Sequence, residues 1–283
     1  MNFLPYLYQM EKHRPSQLIF FSFGMCAMFA ALIGCDGDKT YSVKTETIEV
    51  DSLNQIIPLT ESLVNPVLYT HVSGLSGLSP AEAKVKFVEI VLPAILVAKF
   101  EMDKLQTRVE KLRKKTHWTE TDSVFYLETR SRFKAKDLED LSSRIGTLPT
   151  SIVLAQAAVE SGWGQSRFFL EGNNLFGVWS YNEDEPRIAA GLNRQGKTIY
   201  IRAYADMSES IIHYFEVLGS ANAYRSLRKA RQKDMSPFEL LQHLQNYSER
   251  RASYTDLLKE VILQNEFTKY DKFGISPNYL ERD

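Results

Sequence analysis

Only two cysteines occur in the 283 residues, Cys26 and Cys35, so everything beyond position 35 holds no disulfide and no thiolate ligand set. Also missing are C-x-x-C, H-E-x-x-H and glycine-rich phosphate-loop patterns, which removes the common zinc, metalloprotease and nucleotide-binding classes. The five histidines are scattered without helical ligand spacing, and neither a metal nor a cofactor is expected. Net charge is only −1, and no basic patch with interleaved aromatics occurs, so nothing argues for nucleic acid. The hydrophobic and charged fractions, 44% and 24%, are those of an ordinary globular chain with enough length for a substantial core.

What is present begins with a leader. Lys12, His13 and Arg14 precede an apolar run from Leu18 to Gly34, the pattern of an export signal. The run is at the short limit of a membrane span, so an uncleaved anchor is the competing reading. Leu32-Ile33-Gly34-Cys35 resembles the lipobox of bacterial lipoproteins, which implies cleavage before Cys35 and lipidation of that residue. This divides the chain into a signal over 1–34, a tether over 35–78 with strand tendency near 41–50, a helical N-terminal extension over 79–145, a catalytic domain over 146–267 and a loose tail over 268–283.

Ser79-Pro80-Ala81-Glu82 is a capping box with Pro at the first helical position. Val85, Val88, Leu92, Ile95 and Leu96 then recur at helical spacing, with a kink expected at Pro93. Past Phe100 the sequence turns charged, and a solvated helix packed along one stripe is expected. Two shorter helices should fill 119–145 and stop at Gly146.

The most informative stretch is Pro149 to Gly177. Pro149, then Thr150 and Ser151 as capping candidates, and Gly162 bound a helix over Thr150–Ser161. Ile152, Val153, Gln156 and Ala157 precede Glu160 by eight, seven, four and three residues, so the carboxylate shares their apolar face. It stands in the last turn, where the helix dipole disfavours negative charge, beside Trp163, which can exclude water. Both effects raise a carboxyl pKa, as a general acid at neutral pH requires. A polar residue on a helix rim is the plainer alternative. Four glycines among two aromatic pairs, Trp163 with Phe168 and Phe176 with Trp179, suit a carbohydrate or peptide groove.

Further on, Ile199, Ile201 and Ala203 alternate with Tyr200, Arg202 and Tyr204, so residues 185–204 read as a β-hairpin turning near Asn193 to Gly196. Three more helices and a fourth, carrying Leu257, Leu258, Val261 and Ile262, complete the chain. The arginines 225, 228 and 231 are expected on a solvated face.

Ala155-Gln-Ala-Ala-Val-Glu-Ser-Gly-Trp-Gly164 followed by Asn173-Asn-Leu-Phe-Gly177 resembles the signature of the bacterial peptidoglycan glucosaminidases of glycoside hydrolase family 73, in particular its Bax-like branch. The resemblance covers roughly residues 80 to 267. It implies a mainly helical α+β, lysozyme-like bundle with a small β-hairpin lobe, hydrolysis after N-acetylglucosamine, and Glu160 as the acid. Tyr247 matches the tyrosine that faces the acid in the family, although Asn246 and Ser248 replace its neighbours. The family's second carboxylate is expected on the strand before the hairpin turn, where this chain has none; Glu183 or Glu185 is the nearest substitute, with Asp206 reading as a helix cap. Substrate assistance by the N-acetyl group would dispense with a second acid. Gln156, Trp163, Asn173, Asn174, Phe176 and Trp179 are the expected sugar contacts. The implied partners are peptidoglycan strands and, through Cys35, a membrane, for a monomer in the bacterial envelope facing the periplasm. Lytic transglycosylase cleavage and a non-catalytic wall-binding lipoprotein remain as alternatives.

Overall fold

The computed structural model of the protein describes residues 40–192 and 196–283. The expected signal over 1–34, Cys35 and most of the hairpin turn lie outside the described residues.

A single long helix sets the frame. α1 (Pro80–Lys114) starts at the expected capping box, where Ser79 Oγ accepts from the Glu82 amide and the Glu82 side chain accepts from the Ser79 amide. From Phe87 to Ala98 every residue is buried, Pro93 included, because other elements pack on all sides of this segment. Of the apolar positions expected to recur at helical spacing, Val88, Leu92, Ile95 and Leu96 are thus part of a segment buried all round. An apolar run without a polar face, such as Ile90 to Ala98, belongs to a helix inside the core. The first turn and the residues past Phe100 are charged and more open; past Phe100 a single stripe, Met102, Val109 and Leu112, is buried, and Arg113 pairs with Glu110 at 2.8 Å.

The stretch expected as a tether is packed structure. β1 (Tyr41–Val43), β2 (Glu46–Glu49), β3 (Leu63–Val64) and β4 (Val67–Thr70) form a strap across α1, burying Val50, Ile56, Val64, Val67, Leu68, Tyr69 and Leu75. β2 and β4 pair in parallel. The tail is equally fixed: β8 (Gly274–Ile275) runs parallel to β3 and β9 (Leu280–Arg282) antiparallel to β1, with Lys104 of α1 holding Asp283 at 2.9 Å. These strands find their hydrogen-bond partners some two hundred residues away, and no local periodicity reports such pairing.

α2 (Glu120–Arg132) and α3 (Leu138–Arg144) fill the region expected for two short helices, and α4 (Thr150–Ser161) has the expected limits. α5 (Arg167–Gly172) leads into a three-stranded sheet in the order β5 (Trp179–Ser180), β7 (Thr198–Arg202), β6 (Arg187–Leu192), the expected hairpin with one added edge strand. α6 (Met207–Ser220) is capped by Asp206, whose carboxylate accepts from the amides of Ser208 and Glu209. α7 (Arg225–Ala230), α8 (Pro237–Leu241) and α9 (Ala252–Gln264) close the bundle. The fold is thus mainly helical α+β with a small sheet lobe.

Two arginines of the basic helix region are not on a solvated face. Arg228 donates to the carbonyls of Leu218 and Ala221, and Arg231 to those of Gly146, Ser143 and Arg144, so both satisfy orphan carbonyls at helix ends.

The N-terminus of α4 is capped from outside its own sequence. Neither Thr150 nor Ser151 is the cap; Asp271, in a 3-10 turn over Phe267–Lys272, accepts from the Ser151 amide at 2.7 Å and from its hydroxyl at 2.9 Å. Lys99 of α1 donates to Thr150 Oγ1 at 3.1 Å, and its charge lies near those of Asp103 and Asp271. Asp271→Ala removes the cap and strips Lys99 of one counter-charge, and should cost about 1–3 kcal/mol. Urea denaturation with an unchanged m-value is the check, and a loss below about 0.5 kcal/mol contradicts the assignment.

Candidate active site

Glu160 stands at the C-terminal end of α4, where the chain makes an unusual exit. Gly162, Trp163 and Gly164 are consecutive left-handed residues, at φ 59°, 58° and 76°. For tryptophan this conformation is strained, at a cost of roughly 1–2 kcal/mol. Ser161 holds the turn: its hydroxyl donates to Ala157 O at 2.6 Å and accepts from the Gly164 amide at 2.9 Å. A side chain at 164 would run into Leu75 of the strap and Phe169 of α5, so this glycine is required by close packing as well as by its backbone angle. The turn throws Trp163 onto α1, edge-on to Phe87 with centroids 5.5 Å apart, beside Phe267 and under Lys84 at 4.8 Å. Trp163, expected against sugar, thus makes its ring contacts with the scaffold.

Glu160 is wrapped instead by tyrosines. Tyr254 of α9 donates its hydroxyl to Glu160 Oε1 at 2.7 Å. That hydroxyl accepts from Gln156 Nε2 at 3.1 Å, and Gln156 Oε1 accepts in turn from the Tyr214 hydroxyl of α6. The chain of donors runs one way, from Tyr214 through Gln156 and Tyr254 to the carboxyl. Tyr247 stacks on Tyr254 with centroids 5.7 Å apart and 10° between planes, and touches Tyr214 and Tyr224 by its edges. Burial pushes the Glu160 carboxyl up to about 7, against the Tyr254 hydrogen bond, which pulls it down. Burial first, and the Glu160 charge in addition, raise the phenols of Tyr214, Tyr224, Tyr247 and Tyr254, which keeps all four neutral and able to donate.

The expected sugar contacts separate into two groups. Gln156 is 0% exposed with both ends of its amide used, so it orients Tyr254 from behind and meets no solvent. Asn174, 1% exposed, donates to Val178 O and Arg202 O and accepts from the amides of Phe176 and Val178. Asn173 donates to Tyr204 O and Ala205 O. These two amides fasten the sheet to the helices, and their assignment to substrate is corrected on that ground. Phe176 is buried and stacked on Tyr214 at 4.3 Å, so it too is core. Trp179, partly open like Trp163, lies on the sheet, 6.2 Å from the Tyr181 ring. Of the two acids, the Glu183 side chain is 88% exposed and 3.5 Å from Arg187, whereas Glu185 is 18% exposed and 3.4 Å from Arg202. Neither hydrogen-bonds to the Glu160 cluster. Among the described residues no group of acids, histidines or cysteines is arranged to hold a metal.

The sequence reading missed Tyr254, Tyr214 and Tyr224. Tyr254 closes the segment Tyr247 to Tyr254 that carries the family resemblance, so a signal for it existed. Tyr214 and Tyr224 come from other helices and left none.

Residues 135–267 match the model of the family described as mannosyl-glycoprotein endo-beta-N-acetylglucosaminidase. That stretch is similar to the glucosaminidase family. The match starts within the segment expected as a helical extension and so takes in α3. Over 163 residues the chain is 26% identical to Protein bax of Escherichia coli strain K12, an alignment covering 53% of this chain and 57% of that protein. Among solved structures, the catalytic domain of the autolysin Auto from Listeria monocytogenes is 19% identical, with 58% of this chain and 96% of that one covered and a TM-score of 0.37. A truncated glycoside hydrolase domain of FlgJ from Salmonella typhimurium is 23% identical, covering 50% of this chain and 96% of that one at a TM-score of 0.34.

Within residues 135–267, the Tyr254 hydroxyl restrains the Glu160 pKa. Tyr254→Phe should therefore raise it further above about 7, visible as an upfield or downfield carboxyl titration midpoint moved to higher pH in ¹³C NMR. An unchanged or lowered midpoint contradicts the hydrogen bond.

Proposed function

We propose that the chain hydrolyses β-1,4 bonds after N-acetylglucosamine in peptidoglycan, with Glu160 as general acid. The observation that carries this reading is a carboxyl with a pKa of about 7, hydrogen-bonded on Oε1 only. Because Tyr254 donates to Oε1, the proton of the neutral acid resides on Oε2, the oxygen left for the substrate. Oε2 delivers it to the bridging oxygen, the bond from that oxygen to C1 breaks, and the leaving sugar departs as an alcohol. Water supplies the hydroxyl that completes C1.

A second group must steady the positive charge at C1. Glu183 is solvated and Glu185 is turned to Arg202, so the substrate's own N-acetyl oxygen is the nucleophile this site favours. Tyr247 would orient that group or the incoming water, and its stacking on Tyr254 supports the role. Glu185 is the better of the two acids if a side chain takes the role, since it is shielded. Trp179 is the sugar contact that the burial pattern supports. The leader and Cys35 support export and lipidation, which would set the enzyme on an envelope membrane facing the wall.

Activity should follow the protonated acid, so kcat/KM falls as pH rises through about 7. Glu160→Gln should abolish clearing of peptidoglycan, and mass spectrometry of the wild-type digest should find reducing N-acetylglucosamine ends. Anhydromuramic ends would instead establish transglycosylase cleavage, and equal clearing by wild type and variant would end the enzyme reading. The same raised pKa bears on stability. Both folded and unfolded states are protonated below the ordinary value of 4.5, so nothing is lost there; as pH rises through about 7 the folded state must ionise a buried acid. Glu160→Gln should consequently melt higher than wild type at pH 8 by an amount equivalent to about 1–3 kcal/mol, and show a smaller gain at pH 4. Calorimetry at the two pH values checks it.

A further inference from the structure

β5 is one of the two edge strands of the small sheet, and the register fixes which way its side chains point. Trp179 lies opposite Ile201, and Ile188 opposite Ile201 on the other side, so all three share one face. Ile201 is buried, and Ile188 approaches Gly172 so closely that a Cβ there would lie 2.7 Å from its Cδ1. This is the face turned to the helical lobe. Tyr181 follows Trp179 by two residues, on the same side, with ring centroids 6.2 Å apart and 41° between planes. It remains 83% exposed, more than any other large hydrophobic or aromatic side chain among the described residues. The neighbouring aromatics differ: Arg187 covers Tyr200 at 4.0 Å, and Arg202 covers Tyr204 at 5.3 Å. The backbone under Tyr181 is braced. Ser180 Oγ donates to Asn182 O at 3.2 Å, and Asn182 Oδ1 accepts from the Asp184 amide at 3.0 Å.

An open aromatic ring held on a braced edge, continuous with a half-open tryptophan and facing the lobe that carries Glu160, offers a flat apolar surface beside water. The apolar CH face of a pyranose stacks on such a ring while its hydroxyls stay solvated. A neutral glycan needs no charged partner.

We infer that Tyr181, with Trp179 inside it, forms an outer subsite that grips the glycan strand away from the cleaved bond and makes the protein favour long strands. The inference rests on the glycan-cleaving reading of the Glu160 site, which it deepens.

The test uses the full chain carrying Glu160→Gln, so that strands bind without being cut, and purified peptidoglycan glycan strands or chitin oligomers of increasing length, followed by tryptophan fluorescence and sedimentation. Adding Tyr181→Ala should weaken binding of long strands roughly two- to tenfold. Tyr181→Phe should retain it. Affinity of the parent should climb with oligomer length, and the Tyr181→Ala series should level off at a shorter length. Equal affinities of parent and Tyr181→Ala at every length overturn the subsite. Because Tyr181 is exposed, Tyr181→Ala should melt with the parent, which separates lost contact from lost fold. Failure of the two readings is distinguishable: Tyr181-dependent binding without release of reducing ends by the unmutated chain removes the hydrolase and leaves the subsite, and cleavage with Tyr181-independent binding does the reverse.

Discussion

A neutral carboxyl kept among neutral phenols is the constraint from which the rest of this structure follows. Taking an acid out of water favours its protonated form, and among the described residues no basic group beside Glu160 reverses that. The hydroxyl of Tyr254 moderates the effect, because a donor stabilises the ionised form more than the neutral one. Two opposing influences thus meet near neutrality. The Gln156 amide makes the arrangement unidirectional: its oxygen must face Tyr214 and its nitrogen Tyr254, so every hydroxyl in the chain has one donor direction. An isosteric acid at 156 would break that order, since a carboxylate cannot donate.

Holding those side chains in register takes three separate elements, α4, α6 and α9, and α1 is the surface on which the first two rest. This explains why so long a stretch of α1 is buried on all sides. It also explains the strained turn after Glu160. Trp163 accepts an unfavourable backbone conformation because its indole is then locked between Phe87 and Phe267, which stops α4 from sliding along α1.

Local chemistry in the sequence was enough for α4, for the capping box at Ser79, for the Asp206 cap and for the hairpin, since each is signalled by residues a few positions apart. Glu160 was legible through its helical face and its family motif. The motif's asparagines misled: side chains of the type that bind sugars turned out to be consumed by backbone groups, and sequence does not distinguish an amide facing a ligand from one facing a loop. The strap and the tail escaped for another reason. Beyond the strand tendency near 41–50, their strands are two to four residues long, too short for a pattern; β1 and β3 pair with strands at the opposite end of the chain, and β2 pairs in parallel with β4. The tyrosine cluster was only partly visible, since its members converge from different helices.

The external cap on α4 has a bearing on the order in which the protein takes shape. The four tyrosines around the acid, the acid itself and the three-stranded sheet are encoded before residue 265, yet the amide end of the acid's own helix waits for the carboxylate at 271. A chain emerging from a ribosome or a translocation channel would carry every reacting group while their platform was still loose. The acid's helix would then be fixed only once that carboxylate is in place.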